Sequence, residues 1–174
     1  MSYGLLLLRV FVGIAFFGHG TQKLFGWFGG HGAQGTGGFF ASGGYRYGVP
    51  LAILAGLAEA GGGALLALGL LTPLACVLLA IVMLNAIFAV TLKRAFLLGS
   101  ELELAYLVTA ISLAAIGPGR FSLDRAIDWD DNISGLWWGV GVLVVAAVVS
   151  FFTLTVLRTK PEPKPAPRAT PLPH

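Results

Sequence analysis

The chain has 174 residues, of which 56% are hydrophobic and only 11% are charged. With a mean hydropathy of +0.84, it is too apolar for a soluble domain of this size, and an integral membrane protein is predicted. The net charge of +3 is not gathered into a basic run interleaved with aromatic residues, so no nucleic-acid partner is expected. The one cysteine, Cys76, allows neither an intrachain disulfide nor a CxxC redox pair.

The first apolar run predicts a retained transmembrane helix over residues 4–22. No basic region precedes this run, Arg9 lies inside it, and no small-x-small cleavage site follows it, so a signal peptide is not indicated. One stripe of this helix carries donors and aromatic residues at a spacing of three and four, namely Arg9, Val12, Phe16, His19 and Lys23.

Residues 18–49 are predicted to form an interfacial loop, because 12 of the 25 glycines fall between positions 18 and 48 together with seven aromatic residues. Tryptophan and tyrosine favour the headgroup region of a bilayer, so the loop is expected to fold back onto the helix ends. A short helical turn is expected over residues 39–42. A mobile linker is the alternative interpretation of this composition.

The second predicted span, residues 50–71, contains a single charged residue, Glu59. Small residues recur at every fourth position and form a face on which another backbone can lie closely, namely Ala52, Gly56, Ala60 and Ala64. Glu59 is adjacent to that face, where a charge is costly unless it meets a partner, a proton or water. It is therefore predicted to point into a helix bundle.

Two further spans follow, over residues 73–92 and 102–116. Thr72 and Pro73 are a suitable N-cap and first-turn pair, so the second and third spans should form a tight hairpin. Asn85 is the strongest polar group of the third span, and Glu103 lies in the first turn of the fourth. The fourth span ends at a Gly-Pro-Gly sequence.

An acidic connector over residues 128–135 precedes a fifth, uncharged span over residues 136–157. Leu123 and Ile127 just before this connector and Trp129 within it could lie along the bilayer surface. Residues 158–174 hold six of the nine prolines and too little apolar surface to fold, so a disordered, basic tail is predicted. The predicted fold is therefore an all-α membrane protein, with a four-helix transmembrane bundle over residues 1–127 and an additional fifth C-terminal transmembrane helix.

Lysine and arginine counts predict the orientation. Eight of these residues share the side of the glycine-rich loop and three lie on or towards the other side. The N-terminus is thus expected outside the cell and the tail in the cytoplasm.

Depth along the helices, at roughly 1.5 Å per residue, places five polar groups from four helices in one half of the bilayer. They are His19, Lys23, Glu59, Asn85 and Glu103. We therefore expect a polar pocket in that half, covered by the aromatic loop. Arg9 approaches from the opposite face but could reach Glu59 through its long side chain. No metal site is predicted, because the candidate ligands show no ligand spacing.

Each polar residue also has a structural interpretation. A purely structural Arg9–Glu59 pair could hold the first two helices together. His19 could be an interfacial histidine bonded to the backbone. Asn85 could join helices without any other role, and Lys23 and Glu103 could be solvated charges at helix ends.

Three stretches together resemble the DoxX family of small bacterial and archaeal membrane proteins over about residues 5–127. They are LLRVFVGIAFFGHGTQKLFGWFGG, LAGLAEAGGGALLALGLLTPLA and GPGRFSLDR. The resemblance implies a four-helix bundle in a prokaryotic plasma membrane. It carries over Arg9, His19, Gly20, Lys23, Glu59, Glu103 and the segment 117–124. Where relatives often have a histidine near the end of the third span, this chain has Thr91-Leu92-Lys93, and it adds the fifth span and the tail.

The resemblance further implies the membrane subunit of a redox complex, of a thiosulfate:quinone oxidoreductase or oxidative or thiol-stress type. The leading hypothesis is that such a subunit would hold no intrinsic cofactor, would bind a quinone-like or other amphipathic small molecule in the pocket and would receive electrons from a partner protein. His19 and Lys23 would donate hydrogen bonds and Glu59 would relay a proton, with His19 and Glu59 as the catalytic candidates. Phe16, Phe25 and Trp27 would pack on the quinone ring, and Arg9, Asn85 and Glu103 complete the ligand-binding set.

The rival hypothesis is a small transporter, lipid-binding or assembly protein without redox chemistry. In either case the chain would be surrounded by membrane lipid, and association into a homo-oligomer is left open.

Overall fold

The computed structural model describes residues 2–89 and 99–159, and within these ranges it contains seven α-helices and no β-strand. The prediction of an all-α membrane protein is confirmed. The helices are α1 (Ser2–Phe25), α2 (Gly32–Ser42), α3 (Gly48–Leu68), α4 (Thr72–Ala89), α5 (Glu101–Ile116), α6 (Leu123–Ala126) and α7 (Leu136–Val156). Thr91-Leu92-Lys93 and the tail beyond residue 159 lie outside the described residues.

Four of these helices, α1, α3, α4 and α7, are long and apolar enough to cross a membrane. Helix α5 has 16 residues, with Glu101 and Glu103 in its first turn, and is shorter than each of these four. That α5 also spans the membrane therefore stays a prediction. It nevertheless packs against both α4 and α7.

The helices pack around α3 and α4 at the centre. Helix α3 contacts α1 on one side and α4 on the other, while α4 contacts α5 and α7, which also contact each other. The buried core includes Phe16, Leu66, Leu79, Leu113 and Val142, which come from five different helices. Because α7 contributes to this core, the fifth predicted span is an integral part of the bundle.

The outward faces of the long helices are apolar. Large side chains that are more than 40% exposed include Leu7, Phe11, Ile14, Leu54, Leu57, Leu143, Val148 and Phe151. Apolar surface on this scale is not left in contact with water, so these faces contact lipid.

The bundle has two ends, which we call the amino-terminal end and the loop-one end. At the amino-terminal end, the Asp124 amide donates to the Gly69 carbonyl at 2.9 Å, which joins the segment before α7 to the α3–α4 turn. At the loop-one end, the Arg46 amide donates to the Leu157 carbonyl at 3.0 Å, which joins the α2–α3 loop to the end of α7. Which end faces the cytoplasm stays a prediction.

The glycine-rich loop contains more helix than expected. The predicted turn over residues 39–42 is the last part of the 11-residue helix α2. A Cβ atom at Gly37 would lie 2.6 Å from the Val49 Cα atom, so glycine at this position lets α2 lie directly on the start of α3. Isolated glycine-rich helices are unstable, and α2 depends on this packing.

Candidate functional site

The seam between α1 and α3 sets the geometry of the site. A Cβ atom at Gly20 would lie 2.3 Å from the Ala60 amide nitrogen, and one at Gly13 would lie 2.5 Å from the Gly63 carbonyl oxygen. The two backbones are therefore in direct contact at both positions, as small residues permit between membrane helices. This contact fixes which α1 residues lie beside Glu59.

Lys23 is the partner of Glu59. Its Nζ donates a hydrogen bond to Glu59 Oε2 and forms an ion pair with it. The Glu59 side chain is only 2% exposed, whereas that of Lys23 is 24% exposed. The carboxylate thus lies inside the bundle, as its position on α3 predicts, and the ammonium joins it to the surface at the loop-one end.

The alternative pairing of Arg9 with Glu59 is wrong. Arg9 lies 11 residues before Gly20, which is about 16 Å along the helix, and Gly20 is the residue opposite Ala60. The Arg9 guanidinium instead borders Gly69 and donates to the Phe121 carbonyl at the amino-terminal end. The structure therefore places Arg9 far from the other polar candidates.

An open cleft of about 300 Å³ lies at the loop-one end beside the ion pair. Its lining consists of His19, Gln22, Lys23, Gly29, Gly30, His31, Thr36, Phe39 and Phe40. His19 Nδ1 and Gln22 Oε1 are in hydrogen-bond contact at 3.1 Å, and Gln22 Nε2 donates to the Phe28 carbonyl at 3.1 Å. Gln22 thereby connects His19 to the turn at Phe28, which leads to the residues on the far side of the cleft.

Sequence reasoning placed His19 and Lys23 at this end but missed His31 and Thr36. His31 directly precedes α2, and Thr36 lies one turn inside it. The available signal was the Gly-Gly-His sequence, in which the glycines let the chain reverse and return the histidine towards α1. That signal could not be interpreted without knowing that α2 exists.

The three aromatic residues that were predicted to hold a quinone ring do not line the cleft. Phe16 is 1% exposed and packs on Tyr106, with 4.9 Å between the ring centroids. Phe25 and Trp27 are exposed and pack on each other, with 5.2 Å between their centroids. The aromatic wall of the cleft is formed by Phe39 and Phe40 of α2 instead.

Asn85 belongs to a separate polar cluster between α4 and α7. Its Nδ2 donates to Ser150 Oγ at 3.1 Å, and its Oδ1 accepts from Thr153 Oγ1 at 2.7 Å and from the Tyr45 hydroxyl at 3.2 Å. Burial raises the pKa of the Tyr45 phenol, and the Arg158 charge partly opposes this. Tyr45 is therefore a neutral donor here. The cluster satisfies the Asn85 amide within the bundle, which favours the structural interpretation of this residue.

The Glu103 carboxylate forms no hydrogen bond or ion pair with another described residue, and Glu103 does not line the cleft. It lies in the first turn of α5, where a carboxylate is stabilised by the helix dipole. The structure thus brings together three of the five polar groups expected in one pocket.

The amino-terminal end has its own buried polar group, which sequence reasoning did not assign a role. Asp124 is 0% exposed and accepts from the Leu71 amide at 2.7 Å, the Thr72 amide at 3.0 Å and the Thr72 hydroxyl at 2.7 Å. It therefore caps the first turn of α4.

The Arg9 guanidinium is 1% exposed, and its Nε and Nη1 atoms have no hydrogen-bond partner within the described residues. The Asp124 charge acts on it without a direct ion pair. Gly69, at φ 64°, ends α3 and leaves room for the guanidinium, since a Cβ atom there would lie 1.6 Å from Nη1. Arg9 and Asp124 together close this end of the bundle.

Within residues 2–89 and 99–159, no group of three or more His, Cys, Asp or Glu side chains is arranged to hold a metal ion. Cys76 is fully buried in the core between helices.

Fold and site together define a multi-pass all-α membrane protein, with a charged pair between α1 and α3 beside an open cleft. The DoxX family model matches residues 4–92. Over 123 residues the chain is 38% identical to a Bacillus subtilis (strain 168) protein described as "Putative oxidoreductase CatD". The aligned region covers 70% of this chain and 84% of that protein. The chain belongs to the DoxX family, as its motifs predict. No solved structure matches it.

Proposed function

We propose that this protein is the membrane subunit of a redox complex and that its cleft binds the head of a quinone-like amphipathic molecule. The observation that carries the proposal is the position of the Lys23 ammonium. It lines an open cleft on one side and is held by a buried carboxylate on the other. The description of the Bacillus subtilis relative as "Putative oxidoreductase CatD" supports the redox part of the proposal.

The residues present suit a quinone head in kind. An ammonium has further N–H donors beyond the one directed at Glu59, so Lys23 can also donate to a carbonyl oxygen in the cleft. The Phe39 and Phe40 side chains supply an apolar wall for a ring, and the imidazoles of His19 and His31 supply additional polar contacts. The cleft is open, so a molecule with a long apolar tail need not be enclosed.

A quinone takes up protons together with electrons when it is reduced. In this chain Glu59 accepts a hydrogen bond from Lys23 and holds its Nζ beside the cleft, so the pair is positioned to take part in proton transfer to a bound head. His19, which is exposed at the mouth, can exchange a proton with water. Electrons are supplied by a partner protein, which we expect on the side of the membrane that the cleft faces. That side is the cytoplasm if the lysine and arginine distribution is followed.

The proposal is tested by binding to the purified full-length protein in lipid nanodiscs. Titration with decylubiquinone, followed by tryptophan fluorescence, should show a saturable component above the linear quenching that comes from partitioning into lipid. Lys23→Met should raise the dissociation constant about tenfold or more, because it removes a hydrogen bond from a charged donor.

Arg120→Met is the matched control, because Arg120 is exposed at the amino-terminal end and the variant loses the same charge. Its dissociation constant should equal that of the parent. Absence of a saturable component in the parent, or equal affinities for Lys23→Met and the parent, contradicts the quinone proposal. Saturable binding of phospholipid with no response to quinone would favour a lipid-binding protein without redox chemistry.

A further inference from the structure

We propose that the end of α7 positions the cleft wall and that Arg158 is the positioning residue. This inference rests on the proposed function in that it concerns the same cleft. Its starting observation is that the loop following α2, residues 43–46, is held by the end of α7 through both side-chain and backbone contacts. We call these contacts the α7 clasp.

The side-chain part of the α7 clasp is the Arg158 guanidinium. Its Nε donates to the Gly43 carbonyl at 2.9 Å, and its Nη2 donates to the Ala89 carbonyl at 3.1 Å. One side chain thus joins the loop after α2 to the last residue of α4. Hydrogen bonds from a charged donor to partly buried carbonyls are stronger than neutral ones, and Arg158 is itself partly buried.

The backbone part fixes the register of the loop. The Arg46 amide donates to the Leu157 carbonyl at 3.0 Å, and the Thr159 amide donates to the Gly44 carbonyl at 2.8 Å. Between these bonds, Tyr45 and Arg158 form an antiparallel bridge. Because backbone hydrogen bonds lie on both sides of the Tyr45–Arg158 bridge, they fix the register of the loop against the end of α7.

Tyr45 transmits this constraint to the cleft. The Arg158 guanidinium lies over the Tyr45 ring, 5.8 Å from the ring centroid, and the Tyr45 hydroxyl donates to Asn85. The Tyr45 amide donates to the Phe40 carbonyl at 3.0 Å, and the Tyr45 and Phe40 rings pack with 5.5 Å between their centroids. Since Phe40 lines the cleft, a continuous set of contacts runs from α7 to the cleft wall.

Helix α2 needs such an anchor. Its sequence, GAQGTGGFFAS, contains four glycines in 11 residues, and its N-cap residue, His31, makes no side-chain capping hydrogen bond. Glycine disfavours a helix by roughly 1 kcal/mol per residue relative to alanine. The start of α2 is close to α1, and its middle lies on α3 through Gly37 and Val49. The α7 clasp holds its end, where Phe39 and Phe40 face the cleft.

The test compares Arg158→Gln with the parent by hydrogen–deuterium exchange of the full-length protein in nanodiscs, at a temperature where both are fully folded. The amides of residues 43–46 should exchange about tenfold or more faster in the variant, while those of the α1–α3 seam are unchanged. Decylubiquinone affinity should fall several-fold, because the wall that carries Phe40 is no longer fixed.

Arg46→Gln is the matched control. It removes one positive charge, as Arg158→Gln does, but from the loop itself, and it keeps the backbone amide that bonds Leu157. Exchange and affinity should therefore both match the parent. Rapid exchange with unchanged quinone affinity overturns the positioning role, as does unchanged exchange in Arg158→Gln. If the parent binds no quinone, the proposed function fails. Faster exchange of the loop and of Phe40 in Arg158→Gln would still support α7 as the anchor of the wall.

Discussion

Replacement of Asp124 by alanine should strongly destabilise the bundle although this residue lies outside the long helices. Three hydrogen bonds end on its buried carboxylate, and two of them come from the backbone amides of Leu71 and Thr72 at the start of α4. Loss of a helix cap costs about 1 kcal/mol, and unpartnered buried donors add about 1–3 kcal/mol. The variant also leaves Arg9 buried without its nearby negative charge. These effects overlap, so we expect a total loss of about 3–5 kcal/mol.

The assay is reversible unfolding of the protein in mixed micelles with increasing dodecyl sulfate, followed by circular dichroism. Asp131→Ala is the control. Asp131 is the exposed middle residue of the 3-10 turn Asp130–Asn132 before α7, and its side chain makes no hydrogen bond to another described residue. Its unfolding midpoint should equal that of the parent. A midpoint for Asp124→Ala that is no lower than that of Asp131→Ala would refute the capping role.

Two further predictions concern helix packing. Gly20→Ala should lower the midpoint substantially, since the new Cβ atom would meet the Ala60 backbone, whereas Gly18→Ala on the same helix meets nothing within 4 Å and should not. Thr153→Val should destabilise the protein by about 1 kcal/mol because it removes the hydrogen bond from the Thr153 hydroxyl to the Asn85 side-chain oxygen on α4. Thr155→Val, whose hydroxyl bonds only within α7, is its control. Equal midpoints within either pair would contradict the packing described.

The helical architecture could be predicted because the apolar runs are long and well separated. The position of Glu59 inside the bundle was also predictable, since it adjoins a face of small residues that had to pack on another helix. The helix that packs there was not specified by the same pattern. The glycines at positions 13 and 20 of α1 are the complementary half of that face, and they gave no periodic signal as clear as that of α3.

The choice between Lys23 and Arg9 as the partner of Glu59 could not be made from the sequence. Both are basic residues on one stripe of α1, and depth arithmetic with long side chains admits either. The choice depends on the register of α1 against α3, which close backbone contact at Gly20 decides. Likewise, Asn85 lies at the expected depth but faces α7, because the facing direction depends on where the fifth helix packs.

The cleft was only partly predictable for a related reason. Its far wall comes from α2, a helix whose glycine content argues against helix formation, and it is stabilised by tertiary contacts with α3 and α7. Local propensity was overridden there by packing. The missed cleft residues are therefore those whose positions depend on the rest of the protein.

The buried pair between the first two long helices also bears on how the protein is made. A carboxylate near the centre of a span opposes insertion by about 3 kcal/mol when the segment enters the bilayer alone. Helix α1 leaves the ribosome before α3 and carries the neutralising ammonium, together with glycines that accept the α3 backbone. The first helix is thus expected to act as an internal insertion partner for the second, which makes its early placement in the membrane a condition for assembly of everything that follows.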